Sequence, residues 1–349
     1  MKVLHGMTEV AGQGSYSVKG LKFIGINAKM AVWRKNKFGY PFDYFINVGY
    51  TKVLYPYYAM RMFIFALYAA FKFDCFHFHF GWTLLPGGFD LRWLKFLKKK
   101  IYIEFHGSDI RWAFNRTKYE GLPLPEENKR QKKLILRILK YADGIILHDE
   151  ELRKHLPITD VPVYIVPLRV DISRFEAEYP KHGVKKPVVV HAPSKRGNKG
   201  SDYVFKAVEE FKDQIEFILV ENKTQEEAFE IYKTADIIID QLLAGTYGVF
   251  SIEAMALGKP VITYIDDEMI KTFPDELPII SASTKSLKQE LKRLIENEEL
   301  RIEKGMESRK YVEKYHDCNK NAKLLKAIYQ GASCEKCAKE VFKYIGRFN

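Results

Sequence analysis

"DIIIDQLLAGTYGVFSIEAMALGKPVITYI" (residues 236–265) reads as one repeat of a parallel sheet. "DIIID" is a short β-branched run bounded by acids, the pattern of a strand buried on both faces. A loop carrying Gly245 and Gly248 follows, and both glycines let the backbone approach a ligand closely. An apolar helix is expected over 251–257, with Gly258 where a C-terminal cap belongs, and "PVITYI" is the next strand. Open parallel sheets bind ligands beyond the carboxyl ends of their strands. Glu253 is expected in the first turn of that helix. A carboxylate there can accept two hydrogen bonds from the vicinal diol of a ribose. It can equally well complement the helix dipole.

The same alternation extends in both directions. Toward the N-terminus, "KVLHG", "AKMAVWR", "DCFHFHF" (74–80), "IYIEFHG" (101–107), "GIILHD" (144–149) and "VYIVP" read as strands separated by helices. His77 and His79 fall on one face of theirs by period two. The polar stretch 167–186 lacks periodicity. Beyond it "PVVVHAP", "IEFILV", "DIIID" and "PVITYI" restart the pattern. Thr224 and Glu227 have the spacing of a capping box. The expected fold class is α/β, with two Rossmann-like, doubly wound parallel-sheet domains facing a central cleft. The expected boundaries are 1–168, a linker at 169–186, 187–325, and a helical tail at 326–349 that packs back on the first domain.

The 349 residues carry a formal net charge of +12. Residues 1–170 hold 27 Lys+Arg against 14 Asp+Glu, an excess of +13, so the rest is close to neutral. A basic first half invites an anionic partner or substrate. Recognised nucleic-acid motifs are absent, so nucleic acid is not expected as a partner. Four cysteines are too few for a disulfide scaffold and fit a reducing cytosol. "MKVLHGMTEV" lacks a signal-peptide core, so a cytoplasmic location is expected. "MFIFALYAAF" (62–71) is short for a membrane span and reads as a buried helix. His316, Cys318, Cys334 and Cys337 form a zinc-capable set, with ordinary helix-surface cysteines as the simpler reading.

Three further segments end strands. "SKRGNKGSDYVF" (194–205) opens a helix behind Arg196 and Lys199, where free backbone N–H groups favour an anion. Arg196 can fork onto phosphate oxygens and Lys199 can add a point charge, a combination suited to a diphosphate. "AGQGSYSVKG" (11–20) places Gly12 and Gly14 between the first strand and the first helix. "EFHGSDIR" (104–111) sets His106, Ser108, Asp109 and Arg111 at a sheet edge.

Together these segments resemble the glycosyltransferases of the GT-B fold, family four, the large retaining family. "GTYGVFSIEAMALGKPVI" is similar to that family's most specific signature, "HAPSKRGNKG" to its phosphate loop, "YIVPLRVDISRF" to its interdomain segment and "FHGSDIR" to its histidine segment. The resemblance implies sugar transfer from a nucleotide-sugar with retention of anomeric configuration. It implies ribose recognition by Glu253, diphosphate binding by Arg196 and Lys199, and a place for His106 near the transferred sugar. Gly12 and Gly14 match the N-terminal glycine loop. Gly248 and the amides of Val249, Phe250 and Ser251 would border the donor. No cofactor is implied beyond a UDP-, GDP-, ADP- or TDP-sugar, and no metal. One position departs: the family's first motif glutamate falls at Gly245, with Gln241 or Asp240 as nearby substitutes. The acceptor expected from the basic first half is a glycan or a lipid-linked one, with "LRWLKFLKKK" (91–100) resting on an anionic membrane surface. A sugar-nucleotide epimerase of the same fold is the alternative enzyme, and a basic nucleic-acid-binding protein is the alternative from another class.

Overall fold

The computed structural model describes residues 1–36, 38–111, 113–114, 128–331 and 338–345. The chain forms two compact units. Among the described residues the first holds those up to Arg169 and Cys318–Val341, and the second holds Val170–Asp317 and those from Phe342.

The first unit is built on seven strands: β1 (Lys2–Gly6), β2 (Asn27–Val32), β3 (Tyr44–Phe45), β4 (Cys75–His79), β5 (Lys100–Glu104), β6 (Gly144–Leu147) and β7 (Val163–Ile165). They run in the order β3-β2-β1-β4-β5-β6-β7 with every pairing parallel. The order reverses between β1 and β4, the position where doubly wound sheets open a crevice. The register sets His5 beside His77 and His77 beside Tyr102, and sets His79 beside Glu104. All five are buried, so polar side chains replace the usual apolar ones at the carboxyl edge.

The helix Cys318–Tyr329 closes this unit against the helix Gln13–Phe23. Gly20 makes the close approach possible, because a Cβ there would stand 2.2 Å from the Cys318 carbonyl oxygen. At its far end Lys100 Nζ donates to the Tyr329 carbonyl (2.6 Å) and the Tyr102 hydroxyl donates to Ile328 O (2.9 Å). A cation on the last carbonyls complements the helix dipole.

The helix Tyr55–Lys72 corrects the expectation of a buried helix. One face packs inward through Tyr58, Met62, Ala66 and Ala69, at helical spacing. The opposite face is equally apolar and exposed, through Met60, Phe63, Ile64, Leu67 and Phe71, the last 81% exposed. With its leading turn the segment Lys52–Lys72 has 21 residues, apolar enough by length and composition to cross a membrane, and its most apolar window is only 22% buried. Composition alone cannot tell a helix covered on both sides from one covered on one side.

The second unit has five parallel strands: β8 (Val188–His191), β9 (Glu216–Leu219), β10 (Ile237–Ile239), β11 (Val261–Thr263) and β12 (Ile280–Ser281), in the order β12-β11-β10-β8-β9. Its core packs Val189, Ile237, Ile239 and Ile262 against Val204 and Leu291 from the covering helices. The capping box forms: Thr224 N donates to Glu227 Oε2 (2.8 Å), and Glu227 N to Thr224 Oγ1 (3.2 Å). The stretch 169–186 carries one short 3-10 turn, Ile172–Arg174, and buries Val170 and Phe175.

Gly20→Ala is expected to destabilise the protein by about 1–3 kcal/mol, the range for overpacking a tight contact. Urea denaturation checks this, and an unchanged midpoint would contradict the helix contact described.

Candidate functional site

Asp240 follows β10 at the carboxyl edge of the second sheet and is 1% exposed. Burial of a carboxylate demands partners, and two different loops supply them. Lys199 Nζ donates to its Oδ1 (2.7 Å) and Ser251 Oγ to its Oδ2 (2.6 Å). Lys199 also donates to Gln241 Oε1 (2.9 Å). One acid therefore joins the basic loop after β8 to the helix after β10. His191, the last residue of β8, fixes the same edge from below. Its Nδ1 donates to the Ile239 carbonyl (2.8 Å), so its Nε2 accepts from Ser201 Oγ (2.8 Å), and burial lowers its pKa.

Arg196 is exposed and lies over the end of the neighbouring strand. Its Nε and Nη2 fork onto Glu221 (2.8 and 2.5 Å), which leaves the Nη1 hydrogens for another anion. Gly200, between two short helices, has φ +75°, and a Cβ there would stand 3.2 Å from that of Leu242.

The helix behind Gly248 runs Val249–Ala256, starting two residues before the expected 251. Its first amides, Val249, Phe250 and Ser251, have no side-chain cap, and first-turn amides have no intrahelical acceptor. The earlier start moves Glu253 into the second turn, away from the positive end of the dipole. Glu253 is buried, and its charge helps raise the Tyr232 phenol above its usual range, after burial itself. Ser251 is spent on Asp240, so only its amide remains for a ligand.

Gly245 has φ +70°, and a Cβ there would lie 3.2 Å from Asp266 Cβ. Its carbonyl accepts from Asp266 N (3.0 Å). The loop is thus shaped for glycine. Neither suggested substitute is loose: Asp240 holds Lys199 and Ser251, and Gln241 holds Lys199 and donates to Thr246 O (2.5 Å).

In the first unit the glycine loop is occupied by the chain itself. Glu9 accepts from the amides of Gly14 (3.2 Å) and Ser15 (2.8 Å) and from the Ser15 hydroxyl. It thereby takes the anion position at this helix N-terminus. Gly12 has φ +81°, with the Tyr16 ring 2.4 Å from where its Cβ would be, so it makes room for an aromatic. His106 is half-buried on a loop that Asp109 shapes by accepting from the amides of His106 (3.0 Å) and Gly107 (2.7 Å). Burial pushes Asp109 up to about 7. Both ring nitrogens of His106 face inward, Nε2 to His79 Nδ1 (3.1 Å) and Nδ1 to His148 Nε2 (2.9 Å). Both nitrogens are thus engaged with neighbouring histidines. Of the zinc-capable set, His316 and Cys318 fall in different units, and Cys334 and Cys337 lie outside the described residues.

Three residues essential to this geometry stayed unmarked in the sequence: Glu9, Glu221 and His191. The one available signal was position, since His191 and Glu221 end or follow strands.

No protein-family model matches the sequence, and no curated protein matches it. Solved structures do match. Sucrose-phosphate synthase from Thermosynechococcus elongatus is similar at TM-score 0.63 and 14% identity over 95% of this chain and 98% of that one. Anabaena HepE in complex with UDP and glucose is similar at TM-score 0.67 and 10% identity over 95% and 100%. The lipopolysaccharide outer core galactosyltransferase WaaB is similar at TM-score 0.61 and 14% identity over 95% and 99%. The fold is GT-B, with its two parallel sheets of seven and five strands.

Gly245→Glu is expected to cost about 1–2 kcal/mol from the left-handed backbone alone, read as a lower denaturation midpoint. An unchanged or raised midpoint would contradict the strain assigned to this loop.

Proposed function

We propose that the protein is a glycosyltransferase that takes a sugar from a nucleotide-sugar and transfers it with retention to a glycan or lipid-linked acceptor. The observation that carries the proposal is the tie at Asp240, which holds Lys199 and the uncapped Val249–Ala256 helix on one sheet edge. The similarity in fold to HepE, crystallised with UDP-glucose, supports a nucleotide-sugar as donor.

In this reading the diphosphate lies against the amides of Val249, Phe250 and Ser251. Lys199 and the Nη1 side of Arg196 take up the charge that develops as the diphosphate departs. Glu253 accepts from the ribose hydroxyls. Its second-turn position favours this over a dipole role, which is confined to the first turn. The chain's own cations and amides do the electrostatic work, so the proposed transfer step draws on no metal at the donor. With Gly245 shaped for glycine, the donor sugar is held without the carboxylate that the resemblance would lead one to expect. An epimerase of the same fold would share the donor contacts; product analysis separates the two, because only a transferase consumes an acceptor.

Nucleotide binding tests the donor assignment. One of UDP, GDP, ADP and TDP is expected to raise the melting temperature. Arg196→Ala should weaken that binding about tenfold, as loss of a charge-assisted hydrogen bond does, and Glu253→Ala should weaken it similarly. Absence of any nucleotide effect on the folded protein would contradict the proposal.

The acceptor reading includes peripheral attachment to an anionic leaflet, in the synthesis of cell-surface polysaccharide or glycolipid. The exposed apolar face of Tyr55–Lys72 is flanked by Lys52, Arg61 and Lys72, in the half of the chain that carries the charge excess. Phe96 is exposed within the basic 91–100 stretch and Phe89 just ahead of it. Exposed apolar patches of this kind mark interaction surfaces, and each nearby cation adds about 1 kcal/mol toward anionic lipid. Vesicles containing phosphatidylglycerol should co-sediment the protein, less so at high salt and less for Phe63→Asp with Phe71→Asp. Equal recovery with neutral and anionic vesicles would overturn the charge-based attachment.

A further inference from the structure

The carboxyl edge of the first sheet buries a circuit of histidines. The Tyr329 hydroxyl lies 2.5 Å from His77 Nδ1 and 3.2 Å from His5 Nε2. His5 Nδ1 lies 3.0 Å from His79 Nε2, His79 Nδ1 lies 3.1 Å from His106 Nε2, and His106 Nδ1 lies 2.9 Å from His148 Nε2. Both ends return to Glu104. His77 Nε2 is 2.8 Å from its Oε2, and His148 Nδ1 is 3.4 Å from its Oε1, which also takes the Arg169 guanidinium. Close as they are, neither return contact is aligned as a hydrogen bond. His77 Nε2, Glu104 Oε2 and His148 Nδ1 are all buried without one.

The five contacts among the rings and the phenol are hydrogen bonds, and these side chains supply the hydrogens they need. Glu104 Oε2 is left over: a buried carboxylate oxygen with no hydrogen bond, and burial of such a group demands a partner.

A metal ion at the His79–His106 contact gives that oxygen a partner. His79, Glu104 and His106 each offer one ligand atom, all within 4.8 Å of one another. His79 Nδ1 stands 3.1 Å from His106 Nε2 and 3.6 Å from Glu104 Oε2. Zinc bonds to N and O at tetrahedral angles place ligand atoms about 3.3–3.6 Å apart. With an ion there, each remaining hydrogen bond keeps one hydrogen: His79 Nε2 donates to His5, His5 Nε2 to Tyr329, Tyr329 to His77 Nδ1, and on the other side His106 Nδ1 donates to His148. Each ligand histidine then has its other nitrogen held by a second histidine, the support that ligating histidines generally have. The other buried grouping, His5, His77 and His79, fits less well. It would draw His77 away from Tyr329 or Glu104 and leave the Glu104 Oε2 without a partner.

We propose that the first unit binds one divalent transition ion of the zinc class through His79 Nδ1, His106 Nε2 and Glu104 Oε2. Water completes the coordination on the half-exposed side of His106. Two imidazoles and a carboxylate suit zinc and its first-row neighbours. The site lies wholly in the first unit, and the assignment does not rest on the transferase reading.

The test is metal binding by the full chain, stripped with chelator and then titrated with Co²⁺ and with Zn²⁺. About one ion per chain, a visible Co²⁺ absorption band and a raised melting temperature are expected. His79→Ala should abolish the band, as should His106→Gln at the half-exposed position, with circular dichroism reporting the fold of each. His182→Ala, which breaks the exposed His182–Glu298–Glu299 grouping, and Cys334→Ser with Cys337→Ser should leave it intact. The proposal is overturned if the folded wild type takes up no stoichiometric ion. It is equally overturned if the band survives His106→Gln in folded protein, or if either control substitution removes it.

Discussion

Two carboxylates, Asp240 and Glu104, sit in equivalent places: each at the carboxyl end of a central parallel strand, each almost wholly buried. A charge taken out of water is costly unless it is paired and hydrogen-bonded, and breaking such a pair strands the other charge. The pairing therefore constrains what the loops above each sheet can be. Asp240 requires Lys199 and Ser251, which come from different crossovers, and so it fixes the relative position of the basic loop and the Val249–Ala256 helix. Glu104 requires Arg169 and is approached by His77 and His148, and so it gathers side chains from β4, β5 and the segments after β6 and β7.

Much of this organisation was legible from residue pattern. Short β-branched runs separated by helices told of parallel sheets, because strands covered on both faces need no polar alternation. The Thr224–Glu227 spacing announced its cap, and the glycine at 258 ends its helix with φ +76°. What stayed hidden depended on register and on coverage. His77 and His79 could be placed on one face by period two, but their meeting with His5, His106 and His148 follows from which strands pair. The helix Tyr55–Lys72 looked buried because hydropathy reports what a side chain tolerates and not what covers it. The glycines at 12 and 14 looked open to a ligand, yet Glu9, several residues upstream, fills the place.

Structures with 10–14% identity share the GT-B architecture with this chain. Architecture sets where loops converge; chemistry is decided by the side chains they carry. The donor side proposed here combines a buried acid, Glu253, with a glycine-shaped turn at 245 and an arginine already forked onto Glu221. A diphosphate arriving at this edge would meet amides first and the Nη1 side of Arg196 second, with Lys199 held in place by Asp240.

The most direct measurement is a crystal structure of the protein soaked with the nucleoside diphosphate that stabilises it best. The account predicts phosphate oxygens within hydrogen-bond reach of the Val249, Phe250 and Ser251 amides, and both ribose hydroxyls on the Glu253 carboxylate. A nucleotide bound elsewhere, or with its ribose remote from Glu253, would contradict it.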